Sequence, residues 1–158
     1  MNFDVIIIGA GPGGIFAAYE LVQLKPELKV AVFEAGHALS KRHCPIDGEK
    51  IKSCIGCKSC SIMSGFGGAG AFSDGKLSLN REVGGDFPSL VGEELAQELI
   101  DYTDKIYLEF GADEHIEGVS NTEEVKRIRI KAIQAGLKLV DCPIRHMGTE
   151  KAQSIYYA

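Results

Sequence analysis

The stretch DVIIIGAGPGGIFAAYELVQLKPELKVAVFEAG, residues 4–36, decides the fold. Val5 to Ile8 is short, wholly apolar and β-branched, the composition of a strand buried on both faces of a parallel sheet. Glycine then interrupts the run. Gly9, Gly11 and Gly14 stand at G-x-G-x-x-G spacing, and from Ile15 to Leu24 the pattern turns helical, with Ala18 continuing a small-residue face. In such a turn the first glycine permits the tight reversal, the second lets backbone approach a pyrophosphate, and the third lets the helix lie close to the strand. The anion then rests on free N–H groups at the helix N-terminus. Ala10, Pro12 and Gly13 complete the loop and join the three glycines as candidate cofactor contacts.

The glycine spacing alone is a weak signal, and the residues beyond it carry the reading. Pro26 ends the helix, and a second apolar strand, Val30-Ala31-Val32-Phe33, runs straight into Glu34, twenty residues beyond Gly14. A carboxylate at that strand end can accept hydrogen bonds from both hydroxyls of an adenosine ribose, and it would repel a 2′-phosphate. Ala35 lies beside it. The plainer alternative is a generic βαβ unit whose glycines serve only turns. Against it, strand, glycines, helix, strand and acid all occur in register within the ~30 residues that the unit needs.

Composition agrees. The 158 residues are 45% hydrophobic, about one domain with ample core-forming content. A net charge of −5 and a pI near 5.4 leave no footprint for nucleic acid or an anionic membrane. Nine of the nineteen glycines fall within residues 9–14 and 65–75, so the excess marks loops of special shape. Asp4 and the glycines interrupt the N-terminal apolar run and no basic flank precedes it, so neither a signal peptide nor a membrane span is expected. A cytoplasmic location is the corresponding expectation, with the five cysteines as thiols, metal ligands or catalytic groups.

Beyond Glu34, residues 37–52 are polar and without a sustained period. Arg42, next to Lys41, reads either as a cation for the cofactor's phosphates or as half of a solvated basic pair. The run C-x2-C-x2-C at Cys54, Cys57 and Cys60 suits one side of a [4Fe–4S] cube, with Cys44 or Cys142, each followed by proline, as fourth ligand. Four-thiolate zinc, a redox-active dithiol and a set of plain reduced cysteines are the other readings. A second glycine-rich loop, SGFGGAGAFSDGKL at 64–77, leaves so little side chain that its backbone either approaches something closely or takes positive φ. Phe66 and Phe72 either pack on a ring system or anchor the loop ends.

Read together, GAGPGG, FEAG, the C-x2-C-x2-C run and GGAGAFSDGKL resemble the bacterial and archaeal FAD-dependent dehydrogenases usually called uncharacterised, within the wider glutathione-reductase-like flavoproteins. PIRHMGTEK at 143–151 extends the resemblance. It implies a Rossmann-like FAD/NAD(P)-binding α/β domain with FAD bound through Glu34 and Gly9–Gly14, and Gly67, Gly68 and Ala69 near the flavin. The activity implied is that of an FAD-dependent oxidoreductase, electrons passing between NAD(P)H or an organic donor and an unidentified acceptor. The competing expectation is a non-catalytic dinucleotide-binding or RNA-modification accessory module. Two departures limit the transfer. The redox cysteines of disulfide reductases follow the second glycine pair, whereas here they precede it. Family members are also several hundred residues long, whereas this chain stops inside an uncapped helix. The expectation is therefore the N-terminal part of such a domain, its sheet incomplete, with a Cys/Gly-rich insertion at about 37–80 and a helical segment at about 88–135.

In the helical segment, apolar side chains from Leu90 to Phe110 recur every three or four residues, predicting one long helix ended by Gly111. Asn121 is the expected cap of a second helix running to Ala135. Leu137 to Val140 reads as a short strand, after which Arg145 and His146 fall where doubly wound sheets place ligand contacts. His115 is expected at the surface.

Overall fold

The computed structural model describes residues 2–157, apart from the side chains of residues 149 and 150. The chain is mixed α/β and divides into two compact units, Met1–Ser73 and Asp74–Tyr156.

The first unit is built on β1 (Val5–Ile8), α1 (Pro12–Leu24) and β2 (Val30–Phe33). The two strands pair in parallel, Val5 opposite Val30 and Ile8 opposite Phe33. A parallel pair needs a crossover between its strands, and α1 supplies it. α1 begins with Pro12 in its first turn, where a missing N–H costs nothing. It lies over the face that carries Ile7, whose Cγ2 is 3.3 Å from where a Gly14 Cβ would stand. The opposite face is open, Ile6 being 57% and Ile8 81% exposed. Both strand boundaries match those read from the sequence. Residues 34–73 wrap this unit without further strands, forming only two short 3-10 turns, Leu39–Lys41 and Gly68–Phe72.

The second unit pairs β3 (Lys76–Ser78) antiparallel with β4 (Ile144–His146) and carries α2 (Phe87–Val91), α3 (Glu93–Glu109), α4 (Glu123–Gln134) and α5 (Thr149–Tyr157). The single long helix expected from Leu90 to Phe110 is divided. Gly92 takes φ +91, outside the helical region, its N–H closing α2 on Pro88 O and its carbonyl opening α3 through Ala96 N–H. Hydrophobic periodicity runs across this break because α3 resumes with its apolar side chains on the same spacing. The cap of α4 is Thr122, not Asn121, its side chain accepting the Val125 N–H at 3.3 Å.

The strand expected at 137–140 does not form. Leu137 N–H bonds Ala132 O at 2.8 Å to close α4, and Arg129 donates to Leu139 O at 3.2 Å and to Asp141 Oδ1 at 2.5 Å. That segment is thus tied to its own helix, and the strand forms later, at β4. Arg145 therefore lies within a strand instead of beyond one. Its buried guanidinium makes a bidentate pair with Asp104 of α3 and donates to Asp113 O, and the Asp104 contact raises its pKa. Those bonds fasten β4 to α3. Among the described residues no helix is long and apolar enough to cross a membrane.

Candidate functional site

The loop between β1 and α1 shows three glycines under three different constraints. Gly9 has φ +98, a conformation that side chains resist, and its N–H bonds Phe33 O at 2.7 Å. At Gly14 a Cβ would stand 1.9 Å from Gly9 O, a clash with backbone that no rotamer relieves. Gly11 is different. It caps α1 with φ −77 and ψ −177, extended values open to any residue, and a Cβ there would meet nothing within 4 Å. The chain's own packing accounts for Gly9 and Gly14 and leaves Gly11 unexplained. Gly13, in the first turn of α1, is equally unconstrained.

Glu34 stands directly after β2 with its carboxylate turned back on this loop. Oε2 accepts the Ala10 N–H at 2.7 Å and Oε1 accepts the Gly36 N–H at 2.8 Å. The Ala10 bond, then the Gly36 bond, hold this carboxyl below the usual carboxylate range, with smaller help from the Gly65 N–H and the Arg42 charge, against the opposing effect of burial. An ionised carboxylate has about four acceptor sites, so with the Ala10, Gly36 and Gly65 N–H groups on it there is still room for a hydroxyl donor. Ala35, beside it, is exposed.

The second glycine loop is joined to the first. Gly67, at φ +85, donates to Ala10 O at 2.8 Å, and Gly68, at φ +57, sits with its hypothetical Cβ 3.4 Å from Gly11 Cα. Ala69 is exposed on the adjoining 3-10 turn. The sequence pattern did not single out Gly36, although a Cβ there would stand 2.5 Å from Gly65 N. Its position two residues beyond the acid was the available signal. Candidate contacts from both glycine-rich loops and Glu34 therefore meet in one place.

Arg42 is 4% exposed and turned inward. Nε donates to Ser61 O at 2.8 Å, Nη1 to Phe66 O at 2.5 Å and Nη2 to Ile62 O at 2.8 Å, while the guanidinium carbon lies 4.7 Å from the centre of the Phe72 ring. Its planar fork suits several carbonyls at once. In this fold it shapes the 61–66 segment, and Phe72 anchors that clamp. Desolvation lowers its pKa, yet an arginine stays charged throughout the physiological range.

The structure does not gather the cysteines. Cys44, Cys54, Cys57 and Cys60 are free and exposed and Cys142 is half-buried, its Sγ 3.5 Å from Ser78 Oγ. Among the described residues no group of three or more histidine, cysteine or acidic side chains is arranged to hold a metal ion, so the four thiols do not fit an iron–sulfur cluster or zinc as they stand. In the second unit, His146 Nδ1 lies 3.6 Å from Glu117 Oε1 and His115 is exposed.

Comparison with known proteins gives short matches. Residues 1–41 match the Thi4 family. Over 35 residues the chain is 57% identical to a thiamine thiazole synthase of Yarrowia lipolytica, covering 22% of this chain and 11% of that protein. The thiamine thiazole synthase of Phaeosphaeria nodorum matches with the same identity and coverage. A protein of Clostridium beijerinckii described as uncharacterised is 38% identical over 73 residues, 46% of this chain and 13% of that protein. The chain thus spans roughly an eighth or less of the length of these relatives. No solved structure matches it.

Proposed function

We propose that this chain binds the ADP portion of FAD and is the cofactor-holding part of a flavin-dependent oxidoreductase. The pyrophosphate rests on the Gly9–Gly14 loop at the start of α1, Glu34 accepts the ribose hydroxyls, and Gly67, Gly68 and Ala69 stand on the flavin side. The observation that carries this reading is Gly11, a glycine that neither backbone conformation nor a neighbouring atom of the chain requires, at the point where G-x-G-x-x-G loops admit a pyrophosphate. Helix N-terminal amides favour an anion there. The Thi4 match supports it, because the matched residues 1–41 contain this loop and Glu34.

That same match ends before the Cys54–Cys60 run and the second glycine loop, so it supports the dinucleotide grip and not thiazole synthesis. Bound FAD would supply hydride and single-electron chemistry, and this chain's residues would bind and orient it. The donor is a nicotinamide or an organic substrate.

Isothermal titration of the full chain with FAD tests the assignment. Wild type is expected to bind. Glu34→Gln keeps the size of the side chain but replaces one acceptor oxygen by a donor and removes the charge, and should weaken binding roughly 10- to 100-fold, the worth of about 1.5–3 kcal/mol for hydrogen bonds to a charged group. Equal affinity in both proteins would remove Glu34 from the site.

A further inference from the structure

Arg42 reaches both ends of the second glycine loop. At the near end Nη1 donates to Phe66 O at 2.5 Å, one residue ahead of Gly67, while Nε and Nη2 hold the carbonyls of Ser61 and Ile62. At the far end the guanidinium carbon lies 4.7 Å from the centre of the ring of Phe72, the last residue of the 3-10 turn Gly68–Phe72. The backbone also passes close over the arginine's stem, since a Cβ at Gly65 would stand 2.6 Å from Arg42 Cδ. Residues 67–71 thus run between two points that one side chain contacts. Within that span the Gly67 N–H bonds Ala10 O at 2.8 Å, and a Cβ on Gly68 would stand 3.4 Å from Gly11 Cα, so the span lies against the turn assigned to the pyrophosphate. The first loop has supports of its own, the Gly9 bond to Phe33 O and the Glu34 bonds to Ala10 and Gly36. With Arg42 buried and each guanidinium nitrogen on a carbonyl, its charge is turned away from solvent.

We propose that Arg42 is a positioning residue that makes the site selective for a whole flavin dinucleotide over its ADP half. It holds the second loop at the Gly11 turn, so a ligand that continues past the pyrophosphate gains contacts that a ligand ending there does not. The inference rests on the FAD reading above. Lysine cannot take this part, because an ammonium is a point charge, whereas the planar guanidinium serves three carbonyls together and stacks on an aromatic face.

Isothermal titrations of the full chain with FAD and with ADP test the proposal. Wild type is expected to bind FAD more tightly than ADP. Arg42→Lys should lower FAD affinity roughly tenfold and move ADP affinity by less than about threefold, narrowing the gap between the two ligands. Phe72→Leu keeps the carbonyl bonds and the apolar bulk but removes the ring, and it should weaken FAD alone, by roughly threefold. That variant decides the matter if Arg42→Lys does not fold. A cation acting directly on the phosphates, or a general loosening of the fold, would change both ligands together. Equal losses for FAD and ADP, or wild-type FAD affinity in the folded variants, would therefore overturn the proposal and leave the FAD reading standing. A wild-type chain that binds neither ligand would overturn both.

Discussion

Glu34 shows how one side chain serves structure and ligand at once. Its carboxylate fastens the end of β2 to Ala10 and Gly36, and those bonds have their full strength only while it is ionised. Because its folded pKa is lowered, the stability it contributes is fully present above the unfolded glutamate value and is lost as pH falls through the folded one. Following the Ala10 amide by NMR during an acid titration, we expect its resonance to move with Glu34 protonation below the usual carboxylate range. The same titration of Glu34→Gln should show no such step, and a step that persists would mean that another group controls Ala10. The spacing from Gly14 put the acid at the end of the second strand, and it does follow β2 directly. The spacing did not reveal the bonds to Ala10 and Gly36, because backbone amides carry no sequence signature. Arg42 was legible only as a cation near that acid. Its three carbonyl partners lie 19 to 24 residues away and become neighbours only in the fold.

Elements with strong local rules were readable and those shaped by distant partners were not. β1, α1 and β2 arise from an apolar run, a glycine turn, a helical period and a proline stop, and their order fixes the parallel register. The 61–66 segment has no such period, and the Arg42 guanidinium, together with the bonds of Met63 and Ser64 N–H to Cys60 O and of Phe66 N–H to His37 O, gives it form. Removing that side chain by Arg42→Ala would leave the carbonyls of Ser61, Ile62 and Phe66 without their partner, at a cost of about 3 kcal/mol for bonds from a charged donor. Hydrogen exchange should then quicken at Met63, Ser64 and Gly67 while the β1 and β2 amides keep their protection. Unchanged exchange at Gly67 would show that the second glycine loop does not depend on the clamp. The division of α2 from α3 likewise turns on Gly92, which a periodicity count passes over because the apolar spacing continues on both sides. At 137–140 an alternating pattern suggested a strand, and the bonds from Arg129 and the closing turn of α4 decided otherwise.

Across the whole molecule, the two units differ in how they are held. The first takes its shape from glycines that let backbone meet backbone, at Gly14 on Gly9 and Gly36 on Gly65. The second is fastened by the buried pair of Arg145 and Asp104. A parallel sheet ordinarily has both faces covered, and here one face carries exposed Ile6, Ile8 and Phe33. Within the first unit, Gly9 and Gly14, which the fold requires, stand a few residues from Gly11, which it does not, so folding and the proposed cofactor contact can be tested separately. Gly11→Ala adds one methyl group where the chain has room, at backbone angles alanine accepts. Its thermal unfolding should match the wild type, while an FAD titration should show affinity reduced roughly tenfold or more, the effect of a group intruding on a close backbone–phosphate contact. Wild-type affinity for FAD in a normally folded Gly11→Ala chain would contradict the account.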